Sequence, residues 1–529
     1  MMPILFKSAV NSLKINWKLN FKHHLLFFAI LGIGIFARTW EYRSLPPGLN
    51  QDEAENGVEA QSLLKYGVDR NGVSFPVRFI SWGSGQDALY GYMLIPFVAL
   101  GGLTTTTVRF PMLIIGILTI VLTYLVGNKI RDKTFGLIVM FLISISPWHI
   151  MYSRWGLEVT LLPFFFLLGL LYLFQSEYNN YWFILACLFF SMCLYAYITS
   201  YLAIPLFLIL SIPVLRRAKR ISLRSLIMGL TLLTILAMPL ILWVIINSFD
   251  LESIRLGVMT IPHLPSPPRH ETDIAIFQTN TLHALSANLL EMAKVLILQN
   301  DGFLINSTKF GYLYVLTFPF IILGAYFFLT SPQKLTETKL VLMWLISALV
   351  IGIFVEATFN RLNLAFIPLF IFCAAFIDWL NKKNKIAFIF SIALFLAGFL
   401  SFTYYYHNSD YKNQADRWYF TGLLSALNYA KDSNSGAICV TTNKINMPYI
   451  FVLFSEKMDS SVGPNKVLYI DSQSQFRSAK SVGRYMFGLE NCPVNFKTTY
   501  VLFFTESLPI ASNKFKVRSF GLYTVYTPK

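Results

Sequence analysis

The sequence predicts a polytopic α-helical membrane protein with a small α/β domain after its last span. Of its 529 residues, 55% are hydrophobic and only 13% are charged, and the mean hydropathy is +0.56. This composition excludes a large soluble core. Apolar runs of membrane-helix character recur up to about residue 406, after which the pattern becomes that of a soluble domain.

Hydropathy and loop charge together predict about eleven spans. They are 25–37, 108–127, 134–147, 157–175, 181–198, 201–215, 224–247, 309–330, 338–355, 362–380 and 386–406. The apolar stretch Ala88–Leu103 is excluded because it is short, contains Pro96 and ends in two glycines, so we expect a juxtamembrane or re-entrant element there. The predicted domains are 1–406, with outer loops 41–107 and 248–308, and 407–529.

The net charge of +16 sets the predicted orientation. Basic residues cluster at the N-terminus and in alternate loops, which the positive-inside rule places in the cytoplasm. These clusters are Lys7/Lys14/Lys18/Lys22, Lys129/Arg131/Lys133, Arg216/Arg217/Lys219/Arg220, Lys334/Lys339 and Lys382/Lys383/Lys385. We therefore expect contact with membrane lipid rather than nucleic acid, a cytoplasmic N-terminus and an extracytoplasmic C-terminal domain.

The five cysteines divide between the two predicted domains. Cys187, Cys193 and Cys373 fall in apolar runs, where we expect small buried side chains. Cys439 and Cys492 fall in the C-terminal domain, where they are either a disulfide or two unrelated thiols.

Three arginines lie at predicted outer span ends, where topology disfavours cations: Arg109, Arg154 and Arg361. The simplest reason to keep them there is an anion, such as the phosphate of a donor substrate. The alternative is that each contacts lipid headgroups or pairs with a nearby carboxylate. Candidate carboxylates at the same level are Asp52, Glu53, Glu55, Asp87, Glu158 and Glu356. Of these, Asp52, Glu53 and Glu158 are the candidate catalytic residues.

The first outer loop contains a turn, Pro46-Pro47-Gly48, and then a predicted short amphipathic helix over Asn56–Tyr66. Asp52 lies between them, where it is either the helix N-cap or a general base held just above the membrane. A base and a phosphate clamp are the minimal set of groups for transferring a sugar from a polyprenyl phosphate.

Four segments carry a resemblance to a known family: Asp52-Glu53, Arg109-Phe110-Pro111, Ser153–Glu158 and Asn360–Pro368. Over about residues 20–405 they resemble landmarks of the C-type glycosyltransferase (GT-C) fold, closest to the protein O-mannosyltransferases and the lipid A aminoarabinose transferase. The resemblance implies an outer-leaflet polyprenyl-phosphate sugar donor and inversion at the anomeric carbon. It also implies that Asp52 is the catalytic acidic residue, that Glu158 is a second one, and that Arg361, beside Asn360, lies near the donor phosphate.

The chain also departs from this pattern. Where relatives carry a basic residue or histidine and two prolines, it has Ser84-Gly85-Gln86-Asp87-Ala88, which puts the donor-side contacts in doubt. It lacks room for the lumenal insertion of eukaryotic mannosyltransferases, which indicates a prokaryotic relative. Further candidate substrate-binding residues are Gln86, Asp87, Tyr197, Tyr201 and His263, the last in a Pro-rich segment that is either a cover for the site or an ordinary loop.

No cofactor is assigned. A divalent metal is left open but has no support from ligand spacing, because His263, His270 and His283 are not compactly spaced. The acceptor is left open between a protein, a glycolipid and a wall polymer. The rival function is a transporter or flippase of lipid-linked saccharides, which should show broken helices and ionisable residues near the bilayer midplane.

Residues 407–529 contain strand and helix patterns in alternation. Predicted strands are Ala437–Thr442, Lys466–Asp471, Thr499–Thr505 and Leu522–Thr527, and predicted helices are Asp416–Lys431 and Met447–Lys457. These patterns predict a small α/β domain, which we expect to bind or orient the acceptor.

Overall fold

The computed structural model describes residues 21–529, except 82, 84, 267–273, 301–308, 331–333, 434–435 and 509. Lys7, Lys14, Lys18, Ser84 and His270 therefore lie outside the described residues. Within them, the membrane part contains helices α1 to α15 and two short strand pairs. The helices are α1 Phe21–Thr39, α2 Gln51–Tyr66, α3 Leu89–Gly101, α4 Thr105–Ile130, α5 Lys133–Ile145, α6 Pro147–Tyr152, α7 Leu161–Gln175, α8 Trp182–Ala196, α9 Ser200–Arg217, α10 Leu223–Ser248, α11 Thr281–Ala293, α12 Thr317–Thr330, α13 Leu335–Phe354, α14 Phe359–Lys383 and α15 Lys385–His407.

The predicted fold class is confirmed. Among the described residues, nine helices are long and apolar enough to cross a membrane, and eight of them coincide with predicted spans. The other three predicted spans coincide with the shorter apolar helices α5, α8 and α12. The ninth long helix, Thr281–Leu298, was not predicted and lies within the 248–308 segment.

The stretch at 88–103 forms α3, a helix of 13 residues. It packs on α2 and α4, and its buried residues are Tyr90, Gly91, Leu94 and Val98.

The C-terminal part is a seven-stranded mixed sheet with helices α16 Ser409–Ala415, α17 Leu423–Ser433 and α18 Pro448–Ser455. The strands are β5 Ile438–Val440, β6 Val467–Tyr469, β7 Ala479–Val482, β8 Tyr485–Phe487, β9 Thr499–Phe503, β10 Phe515–Phe520 and β11 Tyr523–Pro528. Their order in the sheet is β10-β11-β9-β5-β8-β7-β6, and β5 pairs in parallel with both β8 and β9. All four predicted strands are present.

Cys439 and Cys492 form a disulfide that joins β5 to the segment after β8. Cys187, Cys193 and Cys373 are free and buried, as expected. Disulfides persist in oxidising compartments. The bond is therefore compatible with an extracytoplasmic C-terminal domain.

The sheet domain docks on the first outer loop. Helix α18 packs on α2, and the Tyr66 hydroxyl donates to the carbonyl of Met458 at 2.8 Å. On the far side of the loop, the Asn465 amide donates to the Arg70 carbonyl at 3.0 Å. The first outer loop is thus held between the membrane helices and the sheet domain.

Candidate active site

Helix α2 begins at a turn that the C-terminal part holds in place. The Leu49 amide donates to the carbonyl of Tyr419 at 2.8 Å. Gly48 has φ +80°, and a Cβ there would lie 2.2 Å from the same carbonyl oxygen. Only glycine fits this close approach with a left-handed backbone.

Replacing Gly48 with alanine should therefore destabilise the protein by more than the about 1–2 kcal/mol of the left-handed backbone alone, since the Cβ also clashes. The matched control is Gly67→Ala, where φ is +69° and ψ is +10° and the atom nearest to the added Cβ is Phe75 Cε2 at 3.8 Å, an ordinary contact. Thermal unfolding in detergent should show a larger loss for Gly48→Ala. Equal losses would contradict the close-approach argument.

The N-cap of α2 is Asn50, not Asp52. The Asn50 side chain accepts from the Asp52 amide at 3.0 Å, and Glu53 accepts from the Asn50 amide at 3.1 Å, which completes a capping box. The capping alternative for Asp52 is therefore wrong. Asn50, two residues earlier in the chain, accepts the hydrogen bond from the first turn of α2. The Asp52 carboxylate is therefore not needed as a cap.

Glu53 and Arg109 form a buried ion pair that anchors this turn. The Arg109 guanidinium donates to both Glu53 oxygens at 2.7 and 2.8 Å and to the carbonyls of Pro46 and Gly48, both at 2.9 Å. Glu53 also accepts from the Gly156 amide at 2.8 Å. We expected catalysis from Glu53 and phosphate binding from Arg109, but their polar atoms are taken up by each other and by the backbone.

The Asp52 carboxylate, by contrast, makes no hydrogen bond or ion pair with any residue that the structure describes. It is partly buried in the first turn of α2. Burial, with the nearby carboxylates of Glu55 and Glu53, raises the pKa of Asp52 to about 7. A carboxylate with this pKa can take up a proton near neutral pH.

Glu158 is brought beside Asp52 by two amide side chains. Its Oε2 accepts from Asn56 Nδ2 at 3.1 Å and from Gln86 Nε2 at 3.3 Å. The Asp52 and Glu158 charges repel each other. The amide oxygens of Asn56 and Gln86 are buried and accept no hydrogen bond within the described part of the chain, so two acceptors beside these carboxylates are unused.

Arg78, which the sequence analysis missed, forms the other side of this cluster. It pairs with Asp87 at 2.5 Å in the β1–β2 ladder, where β1 is Arg78–Phe79 and β2 is Gln86–Asp87. It also reaches the Tyr201 hydroxyl at 3.4 Å and lies 4.8 Å from the Trp243 ring centroid. Arg78 could have been found only from its pairing with Asp87, nine residues away on the neighbouring strand. The distribution of charge among the loops gives no information about such a pair.

Tyr197 lies where these groups meet. It interacts electrostatically with Arg361, Glu158, Asp87 and Arg78. Arg361 is at the start of α14, 22% exposed and 3.7 Å from Glu356. Beside it, Asn360 accepts from the Tyr152 hydroxyl. The structure thus brings eight of the predicted residues into one cluster: Asp52, Glu158, Gln86, Asp87, Tyr197, Tyr201, Asn360 and Arg361.

Arg154 and His263 have different surroundings. Arg154 is buried and donates to the Trp40 carbonyl. His263 bonds Asp250 at 2.8 Å after the exposed hairpin β3 Ile254–Leu256 and β4 Met259–Ile261. In the part of the chain that is described, no group of three or more His, Cys, Asp or Glu side chains is placed to hold a metal ion.

Solved structures resemble the overall fold of the chain. ArnT from Cupriavidus metallidurans bound to undecaprenyl phosphate aligns with TM-score 0.59 and 11% identity over 95% of this chain and 97% of its own. The apo oligosaccharyltransferase of Archaeoglobus fulgidus aligns with TM-score 0.53 and 12% identity over 83% of this chain. The chain has the GT-C fold. It spans 64% of the length of the archaeal protein. No protein-family model and no curated protein sequence matches it.

The GT-C fold agrees with the resemblance that the sequence indicated. Apo ArnT also aligns over 95% of the chain, with TM-score 0.56 and 10% identity. That coverage includes most of the C-terminal sheet as well as the membrane helices. At such low identity the alignments support only the similarity of fold. The chemistry of the site must therefore be argued from the residues of this chain.

Proposed function

We propose that the protein is a membrane glycosyltransferase that transfers a sugar from a polyprenyl-phosphate-linked donor to an acceptor on the outer face of the membrane, with inversion. The observation behind this proposal is the Asp52 carboxylate, which is neither cap nor ion-pair partner and has a pKa of about 7. A free carboxylate at a helix start between the membrane and an outer domain suits a general base.

In the proposed reaction, the acceptor oxygen or nitrogen attacks the anomeric carbon of the donor sugar. The bond from this carbon to the phosphate oxygen breaks, and the polyprenyl phosphate leaves with the electron pair. Asp52 takes the proton that the acceptor loses. A single displacement inverts the anomeric centre, and Glu158 orients the acceptor beside Asp52.

Arg361 and Asn360 are the proposed contacts of the donor phosphate. Arg361 interacts with Tyr197 at the edge of the cluster that contains Asp52. Its side chain is 22% exposed. Arg109 is assigned a positioning role instead, because a phosphate would have to displace Glu53 and two carbonyls from it. The unused amide oxygens of Asn56 and Gln86 are proposed to accept hydrogen bonds from sugar hydroxyls.

The test is a turnover assay with the purified full chain and lipid-linked sugars extracted from membranes of its source. We expect release of free polyprenyl phosphate together with a glycosylated acceptor. Lipid and glycan profiling of a deletion strain would then identify sugar and acceptor. Movement of the intact lipid-linked sugar across vesicles without release of polyprenyl phosphate would instead support the transporter hypothesis.

The transfer rate should depend on pH through Asp52. A base must be deprotonated, so kcat should rise as pH increases through about 7 and fall about tenfold per pH unit below it. The check is a kcat profile from pH 5 to 9 with saturating donor. A rate that is flat below pH 7 would contradict a base with this pKa.

Replacing Arg361 with alanine should weaken donor binding about 10-fold to 100-fold, because a charge-assisted contact with the phosphate is lost. Donor affinity is measured by competition with polyprenyl phosphate. The matched control is Arg255→Ala, an exposed arginine in β3, which should leave affinity unchanged. Unchanged affinity in Arg361→Ala would remove it from the phosphate site.

A further inference from the structure

The guanidinium of Arg154 is fully buried and only partly satisfied. Its exposed fraction is 0%, and its one hydrogen bond in the described structure is to the Trp40 carbonyl. Nε and Nη1 donate to no described group, and no carboxylate pairs with it. Buried arginines are normally paired, because an uncompensated charge in the interior costs several kcal/mol.

Three tyrosine hydroxyls surround this guanidinium. Tyr42 follows α1, Tyr406 lies at the end of α15 and Tyr411 lies in α16, and all three interact electrostatically with Arg154. Arg154 lies 5.4 Å from the Tyr406 ring centroid, and the Tyr406 and Tyr411 rings are 4.6 Å apart. The Tyr406 hydroxyl lies within interaction distance of both Arg154 and Tyr411. By full hydrogen-bond geometry, none of the three buried hydroxyls has a partner among the described residues.

The surrounding charge is also unbalanced. Arg38 and Arg109 both repel Arg154. Arg38 makes five hydrogen bonds, all to neutral groups, and Arg109 takes both oxygens of Glu53. Water could satisfy the unused donors but would leave the excess positive charge. A small anion would satisfy both.

We propose that Arg154, Tyr42, Tyr406 and Tyr411 bind a small monovalent inorganic anion, with chloride as its common representative. The enclosure favours a monovalent ion over sulfate or phosphate, because the side chains bury the donors completely and supply one uncompensated charge. Tyr42 also borders a surface groove of about 430 Å³, lined further by Thr39, Glu41, Arg43, Ser44 and Leu113.

Such a site would join the two parts of the molecule. Arg154 and Tyr42 belong to the membrane part, whereas Tyr406 and Tyr411 lie where the last span meets the sheet domain. An anion bound by all four stabilises that junction in proportion to its occupancy. This inference is independent of the proposed reaction, because Asp52 is not one of the residues involved.

The test is thermal unfolding of the detergent-purified full chain at constant ionic strength, with sodium gluconate replaced stepwise by chloride, bromide or sulfate. Chloride and bromide should raise Tm by about 2–4 °C in a saturable way, and sulfate should not. The double variant Tyr406→Phe/Tyr411→Phe keeps both rings but removes both hydroxyls, so its Tm should not rise when chloride or bromide is added. The control Tyr404→Phe, on the exposed side of α15, should keep this increment in Tm.

Bromide-soaked crystals provide a second measurement that does not depend on any variant folding. An anomalous peak should lie within about 3.5 Å of Arg154 Nε. The proposal is overturned if Tm is the same in gluconate and chloride, if the double variant keeps the full increment, if only sulfate stabilises, or if bromide is absent from the site.

Discussion

Asp52→Asn should abolish sugar transfer while the protein stays folded. The substitution keeps the size of the side chain but removes the base, so kcat should fall by about 10²–10⁴-fold. Because Asn50 caps the helix, α2 loses no hydrogen bond that the structure describes. The measurement is single-turnover transfer, with donor affinity determined in parallel.

Stability provides the decisive control for this variant. In the folded protein the pKa of Asp52 is raised from 3.8 to about 7, so the unfolded chain ionises first as pH increases. The wild type therefore loses stability between about pH 4 and pH 7, and asparagine does not. At pH 8, the Tm of Asp52→Asn should equal or exceed that of the wild type, and at pH 4 the two should agree. Near-normal turnover would remove Asp52 as the base.

The same assays need a carboxylate that is not in the site. Asp410 is exposed at the start of α16. Asp410→Asn changes the net charge by the same amount and should leave turnover unchanged. A loss of turnover in this variant would point to a general charge effect rather than to base catalysis.

Arg109→Met should have the largest effect on stability. It leaves Glu53 buried without its ion-pair partner, and breaking a buried pair in this way costs about 3–5 kcal/mol. It also releases the Pro46 and Gly48 carbonyls that hold the turn before Asp52. We expect a low yield of folded protein and a strongly reduced Tm, whereas Arg43→Met, at an exposed position, should behave as the wild type.

The double variant Arg109→Met/Glu53→Gln separates positioning from phosphate binding. It removes the unpaired charge and should recover part of the lost stability. If Arg109 positions the turn, the folded double variant should still bind polyprenyl phosphate. Loss of this binding with stability restored would return Arg109 to the phosphate site.

The membrane part was predictable because crossing a bilayer imposes a length and an apolar composition on each helix. Even the short helices α5, α8 and α12 were found in this way. That α3 does not cross the membrane stays a prediction. The strands β7, β8 and β10 were missed. Two of them are only four and three residues long, and β10 exposes four of its six residues at the edge of the sheet, so none shows a strong apolar alternation.

The sequence by itself predicted the apolar helices, the separate C-terminal domain and Asp52 as a candidate base, because hydropathy and local turn signals are properties of neighbouring residues. Tertiary structure alone decided the partners of the charges. Glu53 meets Arg109 across 56 positions, and Glu158 meets Asn56 across 102. Such pairs form only when helices pack. The three arginines that were expected to share one role therefore have separate surroundings: Arg109 pairs with Glu53, Arg154 lies among tyrosines, and Arg361 lies at the edge of the cluster that contains Asp52.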